Sequence, residues 1–405
     1  MSPQQEASEP ELAGLTLSDP LDQRVHNPVD VPPRDNEWSL PEGFAWVFHG
    51  QGNPGLVRPV IISDGFSLGR SELDKLYQFL ESDYPFISEL RRRGRDVILL
   101  GYNERTAAIQ TNAQAAMAAI LRAGADQRGE EPLVVGGFSM GGLVTRYTLA
   151  KMESERIDHQ TGTYFSFDTP HRGATIPVGV QAFSYFIPVP GNAFARQMNS
   201  PAARQMLWQH YDKDTGKIGV APERRQLLDE LAQLGGWPRI PRLLGVANGR
   251  GDGVGLPEVR PGETALRVER IYPGTTFYTQ AQGDDVTAAY LNRRFPKAEK
   301  TITTNGFPEV DGAPGGTLHT YRILANALEK AGGTVDLRHP DICFVPTVSA
   351  VSVRDIGRQE DLYVNVDELP PDESDLDDFL CSSTTTTHTA VTEELGAWLI
   401  DRLAY

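Results

Sequence analysis

Gly137-Phe138-Ser139-Met140-Gly141 sets a hydroxyl between two glycines, and Gly136 and Gly142 extend the small-residue run on either side. The pentapeptide follows the apolar stretch "PLVVGGF" (132–138), which reads as a buried strand, and the sequence then turns helical. In a strand-to-helix turn, G-x-S-x-G strains the serine backbone, and side chains two residues to either side would collide; glycine removes the collision. The hydroxyl is thereby lifted above the sheet edge, with the positive end of a helix starting near Met140 beneath it. Serine is a poor nucleophile near neutral pH, so this reading needs a histidine base from downstream. The available imidazoles are His159, His171, His210, His319, His339 and His388.

The flanking sequence predicts the elements that must position such a group. "RPVIISDGF" (58–66) reads as a strand covered on both faces and closed by Asp-Gly. A helix should follow from Ser71 to a basic last turn before Gly94, with Ser71 and Asp74 near capping-box spacing and Leu73, Leu76 and Leu80 on one face. "DVILLGY" (96–102) is the next strand, and Ile109, Ala113, Ala116, Met117 and Ile120 are the stripe of the next helix. Alternation of strand and helix requires crossover connections, hence an α/β fold on a mostly parallel sheet with covering helices.

With these elements in place the sequence resembles the α/β-hydrolase superfamily and, within it, lipase-like serine esterases. The resemblance rests on "GGFSMGG", on "VIISDGF" and on "SFDTPHRGA" (166–174), which is similar to a T-P-H-x-G segment of microbial lipases; it is strongest over residues 58–175. It implies acyl transfer through an acyl-serine, with an acid and a histidine following in the order Ser, Asp or Glu, His. His171 then belongs to a structural turn, and His159 and His210 read as solvated. His388 takes the position of the base, in the polar loop before a terminal helix striped by Val391, Leu395, Trp398 and Leu399.

The acid is expected in the loop after the next strand, where "PRLLGVANGRGDGVG" (241–255) offers Asp252. Asp341, in "HPDICFVPTVSA", and Asp284 or Asp285, in "QGDDV", are the alternatives. The two amides of an oxyanion hole are expected from Met140 and Phe66, with "HGQG" (49–52) as rival to the second. The stretch from about 175 to 238 is too long for a simple crossover. Its aromatic content suggests a helical lid or cap in which Phe183, Tyr185 and Phe186 touch substrate; the alternative is a small core of its own. Residues 1–40, rich in proline and acid, read as a flexible arm ahead of one catalytic domain over 41–405.

Composition narrows the partners. With 38 Lys and Arg against 54 Asp and Glu, the formal net charge of −16 argues against nucleic acid. No stretch approaches the roughly 20 apolar residues of a membrane span, and no leader is legible, which makes the cytoplasm the default and secretion open. Cys343 and Cys381 are incidental thiols or one bridge. No zinc pattern or phosphate-binding loop occurs, and "DKDTG" (212–216) falls short of a calcium loop, so neither cofactor nor metal is expected. The expected activity is hydrolysis of small or lipid-like carboxylic esters with apolar acyl groups. Acyl transfer to another acceptor, thioester or amide hydrolysis, and a non-catalytic binding protein are the alternatives.

Overall fold

The computed structural model describes residues 12–17 and 29–403. Eight strands form the main sheet: β1 (Asn36–Leu40), β2 (Gly43–Phe48), β3 (Pro59–Ser63), β4 (Asp96–Tyr102), β5 (Leu133–Phe138), β6 (Thr161–Phe167), β7 (Arg242–Ala247) and β8 (Asp378–Cys381). Their spatial order is β1-β2-β4-β3-β5-β6-β7-β8. β2 runs antiparallel to β1 and β4, and every pairing from β4 to β8 is parallel. The α/β expectation therefore holds, on a mixed sheet.

Strand residues alternate between two cores, as the pleat requires. Ile98 and Leu100 of β4 and Val135 of β5 face the helices Ile109–Asp126 and Met140–Ser154. Val97, Leu99 and Val134 face the helices Leu73–Ser82, Phe86–Arg92 and Glu393–Arg402. Burial on both sides explains why "VIIS" and "DVILLGY" carry almost no polar residue. The single helix expected between Ser71 and Gly94 is two, broken at Asp83–Pro85. Pro85 lacks the N–H and caps the second helix. Ser71 does not cap the first; its hydroxyl accepts the Tyr102 amide (2.9 Å), tying the loop to β4.

Between β6 and β7 the chain forms the helices Val178–Phe186, Ala193–Met198, Pro201–Met206 and Pro222–Gln233. "DKDTG" closes a short hairpin, His210–Tyr211 with Ile218–Gly219, and the Asp212 carboxylate caps the turn by accepting the Asp214 and Thr215 amides. After β7 comes a five-stranded antiparallel sheet in the order Ala298–Thr304, Val286–Arg293, Thr276–Tyr278, Thr264–Val268, Val335–Leu337, in which Thr264–Val268 and Thr276–Tyr278 form a hairpin. The helix Val178–Phe186 lies on this second sheet and shares its core.

One expectation about the N-terminal segment changes. Leu12, Leu15 and Leu17 are buried in the second core, and Trp38 is buried in β1, so these parts of residues 1–40 belong to the fold; residues 1–11 and 18–28 lie outside the described residues. Cys343 and Cys381 are both free thiols. Among the described residues no helix is long and apolar enough to cross a membrane.

Candidate active site

Ser139 sits between β5 and its helix at φ 52°, ψ −123°, in the left-handed region that an L-residue enters only when its surroundings hold it there. The glycines account for that. A Cβ at Gly137 would lie 2.5 Å from the Gly141 carbonyl carbon, and one at Gly141 would lie 2.4 Å from the Ser63 carbonyl oxygen. The turn is held further by the Ser139 amide donating to the Phe167 carbonyl (2.9 Å) and by the Thr169 hydroxyl donating to the Ser139 carbonyl (2.9 Å).

His388 Nε2 lies 2.8 Å from Ser139 Oγ, and His388 Nδ1 lies 2.6 Å from a carboxylate oxygen of Asp168. An ionised carboxylate only accepts, so Nδ1 carries the proton and Nε2 presents its lone pair to the serine hydroxyl. All three side chains are buried, and the Phe344 ring stands edge-on to the imidazole with centroids 4.8 Å apart.

The carboxylate is a correction. Asp168 follows β6 directly, one strand earlier than expected, at φ 48°. Its backbone amide donates to the Val246 carbonyl (2.7 Å), and its other carboxylate oxygen accepts the Asn248 amide (3.0 Å). Gly316 makes room for it, since a Cβ there would lie 2.0 Å from Asp168 Oδ2. Asp252 is elsewhere, partly exposed and ion-paired with Arg250. Asp341 pairs with His319 and Arg322, and Asp284 and Asp285 are exposed. The order Ser, Asp, His along the chain is unchanged.

Asn248, at the end of β7, is a residue sequence reasoning missed. Its backbone amide reaches Asp168, and its side-chain amide donates to Thr386 Oγ1 (2.8 Å) and to the Ala390 carbonyl (2.9 Å), either side of His388. The Thr386 amide returns a bond to the Asn248 carbonyl (3.0 Å), and the His388 amide donates to the Thr317 carbonyl (2.8 Å). One asparagine thus ties the carboxylate to both ends of the imidazole loop. The only trace in the sequence is a polar residue ending an apolar strand.

Met140 opens its helix, so its amide is among those without an intrahelical partner. Phe66 and Ser139 line one cavity, and the Ser63–Asp64 backbone crosses Gly141, which brings the loop after β3 beside the elbow. The rival "HGQG" lies at the other end of the sheet. It follows β2, whose Phe48 pairs with Val97 near the start of β4, and the Gly50 amide donates to Asp96 (2.8 Å).

His171 is structural, as expected. Arg146 is donor-only and lies 3.4 Å from His171 Nδ1, which leaves the ring proton on Nε2 to donate to Ser166 Oγ (3.0 Å). Burial, reinforced by the cations Arg146 and Arg172, holds its pKa well below the usual histidine range. His159 and His210 are buried and not solvated, bonded to Glu153 and to the Met198 carbonyl.

The cavity over Ser139 is apolar and narrow, about 40 Å3, with Phe66, Ile176, Met206, Leu318 and Phe344 in its wall. Phe183, Tyr185 and Phe186 do not line it. Phe183 packs on Tyr272 and Phe277 (centroids 5.1 and 5.6 Å apart), Phe186 on Tyr272, and Tyr185 near Tyr211. Their helix covers the second sheet, so its aromatic face is core; the other face of the insertion, through Met198, Ala203, Met206 and Leu207, reaches the cavity. Among the described residues no group of three or more His, Cys, Asp or Glu could hold a metal.

No protein-family model and no curated protein matches the chain. Among solved structures it is similar to the mature lipase BlEst2 of Bacillus licheniformis (12% identity, 50% of this chain and 72% of that chain, TM-score 0.32). It is also similar to a hyperthermophilic esterase from Pyrobaculum calidifontis (12%, 60% and 71%, TM-score 0.36) and to a fungal esterase from Rhizomucor miehei (15%, 61% and 72%, TM-score 0.34). At these scores the likenesses decide neither substrate nor mechanism.

Proposed function

We propose that this chain is a serine hydrolase of the α/β-hydrolase type that cleaves carboxylic esters with apolar acyl groups. The observation that carries the reading is the unbroken line from Asp168 through His388 to Ser139, ending at the floor of an apolar cavity. In this reading His388 Nε2 takes the Ser139 proton as Oγ bonds to the ester carbonyl carbon. The carbonyl oxygen becomes an oxyanion that the amides of Met140 and Phe66 stabilise, and Asp168 stabilises the imidazolium. The imidazolium then protonates the departing alkoxide as the C–O bond breaks, leaving an acyl-serine. Water, deprotonated by the same Nε2, attacks that ester; the acid departs and the hydroxyl regains its proton.

A binding protein that had lost catalysis would be expected to lack one of these groups, and the complete hydrogen-bonded line speaks against it. The test is titration with a small alkyl fluorophosphonate. One equivalent should label Ser139, and Ser139→Ala should abolish both labelling and hydrolysis of short p-nitrophenyl esters with its thermal stability nearly unchanged. Well-folded wild-type protein that neither labels nor turns over overturns the proposal.

A further inference from the structure

The cavity over Ser139 leaves only about 40 Å3 for the centres of water-sized molecules. One part of its wall comes from far away in the chain: Leu17 lines the same cavity as Ser139. Leu12 and Leu15 anchor the segment in the second core, where both are almost fully buried. Burial alone does not fix where Leu17 stands, but Gln197 does. The Leu17 amide donates to Gln197 Oε1 (2.8 Å), and Gln197 Nε2 donates to the Leu17 carbonyl (2.7 Å). A fully buried side-chain amide thus pairs with the donor and the acceptor of one backbone residue, much as a neighbouring strand would. Gln197 belongs to the helix Ala193–Met198, whose last residue, Met198, lines the cavity as well.

We infer that Leu17, held by Gln197, is the chain-length stop of the acyl pocket. The isobutyl group occupies the space into which a longer acyl chain would extend, so the wild-type site favours short acyl groups. The inference rests on the ester-hydrolase reading of Ser139. Shortening Leu17 should open the pocket by about three carbons, and loosening the Gln197 clasp should act in the same direction.

The experiment measures kcat/KM for p-nitrophenyl acetate and octanoate and takes the ratio of octanoate to acetate for wild type, Leu17→Ala, Leu17→Trp and Gln197→Glu. The last variant is nearly isosteric and replaces the Nε2 donor with an oxygen that repels the Leu17 carbonyl. The ratio should rise roughly tenfold or more in Leu17→Ala, rise in Gln197→Glu and fall in Leu17→Trp. A ratio that stays within about twofold of wild type in both Leu17 variants, with Ser139 still labelled by a methyl fluorophosphonate, overturns the chain-length stop and leaves the hydrolase reading standing. Failure of that reagent to label folded wild-type protein overturns both.

Discussion

His388 Nδ1 and Asp168 Oδ2 lie 2.6 Å apart, and neither side chain is open to solvent. A buried carboxylate at that nitrogen fixes the tautomer in which Nε2 can take a proton from Ser139. Asp168→Asn presents an amide that can donate to Nδ1 and so favours the wrong tautomer. Its kcat/KM for a short p-nitrophenyl ester at neutral pH should fall by about 10³–10⁴ with the fold intact. Asp252→Asn, which alters a partly exposed pair with Arg250, should stay within about twofold of wild type. The reverse ranking would move the acid to Asp252 and demand a rearranged loop after β7.

Asn248 should act through the two groups it ties together. Asn248→Ala keeps the backbone bond to Asp168 but removes the side-chain bonds to Thr386 and Ala390. The His388 loop then loses its fixed distance to Ser139, and misplacement of a general base by about 1 Å is worth roughly 10²-fold. The expected outcome is a fall in kcat of about 10–100-fold with KM little changed, read from steady-state kinetics. A rise in KM with kcat preserved would show that Asn248 shapes the pocket and not the base.

Much of this site is legible in the sequence because its local constraints are strong. The elbow needs glycine at Gly137 and Gly141 for reasons confined to one turn, and strands buried on both faces announce themselves as β3, β4 and β5 do. His388 is legible because only one histidine stands between the last strand and the last helix. Asp168 is not, although it lies inside a quoted segment. Its partnership with His388 spans 220 positions and depends on which strand ends beside the imidazole loop, which no local pattern encodes. The aromatic residues of the insertion mislead for a related reason: apolar periodicity reports that a helix face is covered but not by what, and the covering sheet lies later in the chain. Leu12–Leu17 is too short and too isolated from other apolar sequence to read as core.

Phe183 provides a test of that correction. It is fully buried against Tyr272 and Phe277 in the second core, so Phe183→Ala should cost about 3–5 kcal/mol of unfolding free energy. The preference among acyl chain lengths should not move, since the ring does not line the cavity over Ser139. Denaturant unfolding and the ester series measure the two separately. A variant of wild-type stability with an altered chain-length profile would return Phe183 to the substrate pocket.

Asp311 offers a prediction about pH that is independent of the chemistry at Ser139. Its carboxyl is buried in the turn Val310–Gly312; one oxygen accepts the Gln280 amide (2.8 Å), and burial raises the pKa from 3.8 to about 6. A carboxyl whose folded pKa exceeds its unfolded one binds more protons in the folded state between those values. Its effect on folding is therefore unfavourable above pH 6 and is relieved as the pH falls through 6 toward 4. At about 1.4 kcal/mol per pKa unit, the effect at pH 8 is on the order of 2–3 kcal/mol. Asp311→Asn keeps an oxygen for the Gln280 amide and cannot ionise, so the variant should be more stable than wild type at pH 8. The gap should close as the pH falls from 6 to 4, where the wild-type carboxyl becomes neutral. Thermal unfolding of both proteins from pH 4 to 8 measures the difference directly; a gap that is flat across that range would show that the Asp311 charge is balanced in the folded protein.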